Sequence, residues 1–256
     1  MVVAAVATLA GADGWTALRL GAAMTSLQAS IGALNDVVDA PSDAAGKPAK
    51  PIPAGLVSPA LGRAVAAAAA ITGVVLAAPA GAATVILAVV VLGIGYGYDL
   101  RFKGTAWSWV PFALGIPLLP VFGWLGAAGS LPGFFWVLLP VAVLAGTALA
   151  IANARVDVER DAAAGLDSVA VRLGLERAWV VHAVLLALVV GAALLTLAAA
   201  GAPMATLLGA AGAGLIAALG AVVGRAGAST RRERAWEIEA LGVAALASAW
   251  LAGVAQ

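Results

Sequence analysis

The chain predicts an all-α, polytopic transmembrane helical bundle, and three observations carry that prediction. Hydrophobic residues make up 63% of the 256 and charged residues only 11%, with a mean hydropathy of +1.06. Soluble domains carry roughly 25% charged residues. Apolar runs of about 20 residues, enough to cross a hydrocarbon core as a helix, recur along the chain. The connections between them alternate between short uncharged and long charged segments.

Residues 1–12 are apolar but too short to span, and they predict a truncated first helix. Eight complete spans are expected after it, at about 15–34, 60–79, 82–98, 107–127, 133–153, 178–200, 203–223 and 236–253. Residues 78–81, 126–132 and 200–203 connect spans on one side and carry no charge. Residues 35–59, 99–106, 154–177 and 224–235 connect them on the other side. Of 14 Lys and Arg residues, only Arg19 lies outside this second set or its helix ends, and of 13 acidic residues only Asp13 does. Excess Lys and Arg marks cytoplasmic loops, so the charged side is expected in the cytoplasm, with the protein in the inner membrane. Trp107, Trp109, Trp179 and Trp236 fall at cytoplasmic ends of spans and Trp15, Trp124, Trp136 and Trp250 at the opposite ends, as interfacial belts would. The whole chain, 1–256, reads as one membrane domain.

Composition excludes several classes. There are no cysteines, which removes disulfides, thiolate catalysis and Cys-ligated metals. A net charge of +1 gives no footprint for nucleic acid. The start, Met1-Val2-Val3-Ala4, lacks the basic region of a signal peptide. The frequent Ala and Gly serve close helix packing in lipid, so no site is read from Gly93-Ile94-Gly95 or the glycines around 209–214.

Against that apolar background two acidic stretches stand out. Asn35-Asp36-Val37-Val38-Asp39-Ala40-Pro41-Ser42-Asp43 runs into Lys47-Pro48-Ala49-Lys50-Pro51-Ile52-Pro53. Ionisable groups next to membrane spans are costly and mark function. At about 100° per residue, Asp36, Asp39 and Asp43 share one helical face, and Pro41 is expected to end or kink the helix before Asp43. Carboxylates so placed repel unless protonated or bridged by a cation. An oxygen-rich set with open positions suits Mg²⁺, which keeps waters and bridges substrate phosphates. Asn153, Asp157 and Asp161 repeat the pattern at i, i+4, i+8, followed by Glu159 and Arg160 within the same stretch. The two clusters are expected to face each other around a metal-bound diphosphate. The competing reading, solvated loop charges, is disfavoured because both clusters begin where a span ends and use the same residue types.

Lys47, Lys50, Arg101 and Lys103 can supply donors to a diphosphate, with Tyr96 and Tyr98 close by in sequence. Arg225, Arg231, Arg232 and Arg234 read as membrane anchors, since no acidic cluster lies near them in sequence. His182, the single histidine, is expected as a packed, hydrogen-bonded side chain, and Arg19 and Asp13 as a pair or as snorkelling groups.

These motifs resemble those of the UbiA superfamily of intramembrane prenyltransferases, over nearly the whole chain. Asn35-Asp36-x-x-Asp39-x-x-x-Asp43 with Lys47-Pro48-x-Lys50-Pro51-Ile52-Pro53-x-Gly55 resembles the first Asp-rich motif and its basic tail. Asn153-x-x-x-Asp157-x-Glu159-x-Asp161-x-x-x-Gly165, running into Ser168-Val169-Ala170-Val171-Arg172-Leu173-Gly174, resembles the second. Tyr98-x-x-x-Phe102-Lys103 resembles the tyrosine–lysine motif between them. The resemblance implies a nine-helix bundle around a central cavity, with Mg²⁺ and a polyprenyl diphosphate under cytoplasmic cap segments. It implies that Asp36, Asp39, Asp157 and Asp161 organise the metal, that Asn35, Lys47, Lys50 and Lys103 meet the diphosphate, and that Tyr98 lines the reacting end; Asp43 and Asn153 join the substrate-binding set. The acceptor is expected to be a small aromatic, quinone-precursor or lipid-like molecule. The chain departs from the pattern in its clipped first helix, expected to mean a misassigned start or an incomplete wall, and in Asp167. A CDP-alcohol phosphotransferase would need a DGxxAR-type signature, and the only Asp-Gly pair, Asp13-Gly14, is followed by Trp15. A non-enzymatic cation transporter or lipid-binding protein is the other alternative; transporters place ion ligands near mid-membrane, whereas these acids sit at span ends.

Overall fold

The structure, a computed structural model, describes residues 2–255. Among the described residues the chain folds into eleven α-helices without a strand. They are α1 (Val2–Leu9), α2 (Gly14–Gly46), α3 (Pro59–Ala77), α4 (Ala82–Gly97), α5 (Val110–Ala128), α6 (Phe135–Val156), α7 (Val158–Ala163), α8 (Val169–Leu173), α9 (Leu175–Ala199), α10 (Met204–Val223) and α11 (Ser229–Val254). Seven of these are long and apolar enough to cross a membrane: α3 extended to Ala80, α4 extended to Phe102, α5, α6, α9, α10 and α11. Their sides expose large apolar residues such as Ile71, Val75, Ile86, Leu195, Leu208 and Leu241, which only lipid solvates favourably. The protein is an integral membrane protein.

The expected eighth span, 15–34, lies inside α2, which is long enough but does not join that apolar group, because Arg19, Gln28 and several hydroxyls dilute its hydropathy. The largest departure from expectation is at Pro41. α2 does not stop there but runs on to Gly46. Proline removes one ladder bond and strains the preceding turn. The next turn is held by the Ser42 hydroxyl donating to the Asp39 carbonyl (2.9 Å) and by the Lys47 N–H reaching the Asp43 carbonyl (2.7 Å). Helices also continue further through charged residues than the apolar pattern predicts. α11 begins at Ser229 rather than near 236, and the 154–177 connection contains α7 and α8.

Contacts divide the chain into two compact units. The first comprises Val3–Arg101 and Pro120–Ser130. In it α2 packs along α3 and α4, and these pack on each other. Small residues set the approach: a Cβ at Gly73 of α3 would lie 2.6 Å from a Leu27 methyl of α2, so glycine is what lets the two backbones come this close. α1 lies on α2, where a Cβ at Gly21 would meet the Ala4 Cβ at 2.9 Å. Asp13 caps α2, accepting from the Trp15 and Thr16 N–H groups (2.9 and 3.1 Å), while Arg19 donates to the Leu76 carbonyl at 2.7 Å. Each therefore has its own partner, and the two do not form the pair the sequence suggested.

The second unit comprises Phe102–Leu119 and the chain from Leu131 onward. α10 packs along α11, α6 along α9, and α9 and α11 also meet α10 and α6 respectively. A Cβ at Gly242 of α11 would lie 2.5 Å from the Ala217 nitrogen of α10. His182 is fully buried, as expected: its Nδ1 lies 3.0 Å from the Ala148 carbonyl and its Nε2 3.1 Å from Glu239 Oε2. One buried cluster thus joins α6, α9 and α11. The tryptophans depart from the belt picture in part. Trp15, Trp107 and Trp136 are exposed, but Trp124 and Trp250 are buried. Trp179, Trp236 and Trp250 spend their indole N–H groups on Ala221, Leu149 and Thr196 of neighbouring helices.

Candidate active site

The first acidic motif occupies the last three turns of α2. Because the helix is unbroken, Asp36, Asp39 and Asp43 keep to one face. The following segment turns back on itself: the Ala54 N–H bonds the Lys50 carbonyl, and the Leu56 and Val57 N–H groups bond the Pro51 carbonyl. That turn returns Lys50 to the helix, with its Nζ 2.8 Å from Asp36 Oδ1 and 2.7 Å from Asp43 Oδ2. Burial opposes the Lys50 charge, but the Asp36 and Asp43 carboxylates outweigh it and hold the ammonium above the usual lysine range. Asp43 is buried, and Lys47 is exposed at the helix end.

Asn35 starts the motif and donates through Nδ2 to Asp99 Oδ1 at 2.9 Å. Asp99 is 5% exposed and follows Tyr98 in a π-helical turn, Tyr98–Phe102, that prolongs α4. A widened turn of this kind is common at functional sites. It puts Tyr98 and Asp99 into one turn and leads directly to Lys103, which is exposed. Deeper along the same helices, the buried Ser30 hydroxyl bonds the Ala66 carbonyl (2.6 Å) and the Tyr96 hydroxyl (2.7 Å).

The second motif is built differently. Asn153 lies half-buried in the last turn of α6, which ends at Val156; Asp157 stands between helices, and Asp161 lies on α7. The i, i+4, i+8 spacing is therefore interrupted at Asp157 rather than carried by one helix. The Asp161 N–H still bonds the Asp157 carbonyl at 2.8 Å, so the two acids remain one turn apart. Burial raises the Asp161 carboxyl above the ordinary aspartate range; the nearby Ser168 hydroxyl opposes this, the Asp157 carboxylate adds to it, and Arg160 and Lys103 oppose it. Asp157 pairs with Arg160, and Asp167 with Arg172 at 2.8 Å. Lys103 thus acts on the second motif, within its own unit.

Three functional candidates were not visible in the sequence. Asp99 carries no motif of its own. Arg155, buried in α6, donates to the Leu175, Gly224 and Arg225 carbonyls at 3.3, 3.0 and 2.9 Å. Arg232, read as a membrane anchor, is 4% exposed and pairs with Glu159 inside the second motif. The anchor reading fails for Arg232 because an acidic partner 73 residues away in sequence is close in space. The only available signal was Glu159 itself, a third acid between two motif aspartates.

The donor chemistry fits magnesium. The motif carboxylates are hard oxygen ligands, and this structure already places ammonium and guanidinium groups against them. Among the described residues no group of three or more His, Asp or Glu is gathered tightly enough to cage an ion. Mg²⁺ does not require such a cage, since one or two carboxylates with water and substrate phosphate can complete its shell.

The profile of the UbiA prenyltransferase family matches residues 1–252 of the chain. No curated protein matches it. Among solved structures, the apo UbiA homolog from Aeropyrum pernix K1 superimposes with a TM-score of 0.76 at 19% identity, covering 99% of this chain and 94% of that one. A UbiA homolog from Archaeoglobus fulgidus bound to GPP and Mg²⁺ gives 0.71 at 18% identity, covering 99% and 95%. A digeranylgeranylglyceryl phosphate synthase structure gives 0.73 at 18% identity, covering 99% and 90%. Identities this low establish a shared fold.

Proposed function

The chain belongs to the UbiA prenyltransferase family, and from that premise we propose that it transfers a prenyl group from a polyprenyl diphosphate to a small-molecule acceptor within the membrane. The acceptor is aromatic, quinone-precursor or lipid-like, and the reaction depends on Mg²⁺. One observation carries the reading furthest: α2 passes Pro41 unbroken, so three motif carboxylates share a face onto which Lys50 is folded back. Solvated loop charges would have no need of that arrangement.

Asp36 and Asp39 of the first motif and Asp157 and Asp161 of the second are the residues that would hold the metal. When bound, Mg²⁺ draws charge from the diphosphate and makes it a better leaving group. Lys47, Lys50 and Lys103 add charge-assisted donors at the diphosphate oxygens, and Asn35, Asp43 and Asn153 complete its surroundings. Tyr98, on the π-turn, lines the reacting end, where an aromatic face stabilises the developing allylic cation. Seclusion from water protects that cation until the acceptor captures it. The isoprenoid tail is held by burial among apolar side chains, worth about 0.8 kcal/mol per CH₂. We place the motifs on the cytoplasmic side of the inner membrane, in keeping with the Lys and Arg bias of their loops. The bound GPP, DMAPP and Mg²⁺ of the Archaeoglobus fulgidus homolog structures support this donor class.

The test is Asp36→Ala and Asp157→Ala, assayed with geranyl diphosphate, Mg²⁺ and a panel of phenolic, quinonoid and glycerol-phosphate acceptors. Each variant is expected to insert normally and form no prenylated product. Wild-type transfer in either variant would refute the assignment, and ion flux in liposomes without diphosphate release would favour a transporter.

A further inference from the structure

The six-residue helix α7 carries Asp161 and follows directly on Asp157, yet a helix this short does not hold its shape in isolation. Its inner anchor is Val158, buried in a cluster with Ile151, Val169, Ala170 and Ala178. Its other tie is electrostatic. At about 100° per residue, Asp157 and Asp161 fall on one side of this turn and Glu159 on the opposite side. Arg232 of α11 takes that opposite side: one guanidinium nitrogen pairs with Glu159, and the other donates to the Gly227 carbonyl at 2.6 Å. The Glu159 side chain is 60% exposed and that of Arg232 only 4%, so the fixed member is the arginine.

The connection it crosses, residues 224–228, is held from the other side as well. Arg155, two residues before Asp157, donates to the Gly224 and Arg225 carbonyls just past the C-terminal end of α10, where a cation is favourably placed. Two arginines thus join the second motif to the α10–α11 connection, one from the motif's own helix and one from α11. Neither the prenyl-transfer scheme nor the family match assigns a role to Arg232.

We propose that Arg232 is a positioning residue: by holding Glu159 it fixes the back of α7 and so presents Asp157 and Asp161 together toward the metal–diphosphate. The inference rests on the prenyl-transfer reading. It separates from a merely structural role because a positioning pair controls metal affinity beyond any effect on stability. Groups that orient metal ligands typically change metal affinity 10- to 100-fold when removed.

The experiment uses full-length protein in nanodiscs, with inorganic pyrophosphate as the probe and Mg²⁺ titrated by calorimetry, alongside thermal unfolding. Arg232→Met and Glu159→Gln are each expected to weaken Mg²⁺ uptake by about tenfold or more. Their combination should cost no more than either alone, and Arg232→Lys should recover part of the loss. Variants that unfold earlier but take up Mg²⁺ within twofold of wild type would overturn the inference, as would losses that add fully in the double variant. If the wild type itself takes up no Mg²⁺ with pyrophosphate, the prenyl-transfer reading falls and this inference with it. Normal wild-type uptake that is indifferent to Arg232→Met overturns only the positioning role.

Discussion

The contact between Asn35 and Asp99 offers the sharpest single test of how the first motif is set. Asp99 is buried in the π-turn and accepts from Asn35 Nδ2 at 2.9 Å. When ionised, the Asp99 carboxylate only accepts hydrogen bonds, so the Asn35 amide turns its NH₂ toward it and its carbonyl oxygen elsewhere. Asn35 is thereby oriented from α4, the element that also carries Tyr98. A hydrogen bond to a charged partner is worth about 1.5–3 kcal/mol, and each 1.36 kcal/mol is a factor of ten. Asp99→Ala is therefore expected to weaken geranyl diphosphate binding by about tenfold, and at most about 150-fold if all the orienting energy is expressed in the bound state. Asp99→Asn can still accept through its amide oxygen, and its neutral bond is worth about 1 kcal/mol, so only the difference of about 0.5–2 kcal/mol is lost, about 2- to 30-fold in affinity and always less than for the alanine variant. Donor affinity with Mg²⁺ present is measured by calorimetry on the same preparations used for thermal unfolding. The coupling is read from Asn35→Ala, Asp99→Ala and the double variant. Donor affinity unchanged in a folded Asp99→Ala protein, or fully additive losses, would refute the orienting argument.

Two further outcomes follow from the second unit. Leaving a buried polar group without its partner costs about 1–3 kcal/mol, so Glu239→Ala, which abandons the fully buried His182, should lower the unfolding midpoint by about 2–12 °C at this chain length; Glu239→Gln should cost less, and an unchanged midpoint for the alanine variant would count against the contact as a joint of α6, α9 and α11. Asp161→Asn should stabilise the donor-free protein at neutral pH, because a carboxyl whose folded pKa is raised is penalised once ionised; the gain should shrink as pH falls through the raised folded value toward the ordinary 3.8, and thermal scans showing the same gain at both ends of that range would contradict it.

Most of the helix count was legible because lipid leaves the chain few options: a backbone without water must satisfy itself, and an apolar run of about 20 residues becomes a helix. The acidic motifs were legible for the complementary reason, that charge next to such runs is costly. The failures share one physical cause. At Pro41, local propensity predicts a break, but the Ser42 and Lys47 hydrogen bonds and the Lys50 bridges favour continuing the helix. Arg232, Arg155 and Asp99 were invisible because their partners lie 64 to 73 residues away. An arginine at a span end looks the same in sequence whether it anchors to the interface or clasps an acid. The tryptophans show the same ambiguity: Trp236 lies two turns inside α11 rather than at its end, and for Trp179, Trp236 and Trp250 the indole N–H serves a neighbouring helix rather than the interface.

Burial decides which of the basic residues beside the motifs can change partners. Lys50 sits on Asp36 and Asp43, and Arg160 on Asp157, with side chains 29% and 44% exposed. The Lys50–Asp36 and Arg160–Asp157 pairs reach solvent at both ends and are worth about 0–1 kcal/mol, so on the proposed reading a diphosphate could draw these cations off those carboxylates at little cost, while the contact to buried Asp43 is held more firmly. On that reading the Asp36 and Asp157 carboxylates so released would serve as metal ligands, and the freed ammonium and guanidinium as donors to phosphate oxygens. Arg232 is 4% exposed, and stripping a buried arginine of its partner costs about 3–5 kcal/mol, too much for the same exchange. The proposed reading thus makes Lys50 and Arg160 the exchangeable cations of their motifs and Arg232 part of the frame of the second. Neutralising Lys50 should accordingly affect donor binding, whereas neutralising Arg232 should affect the metal.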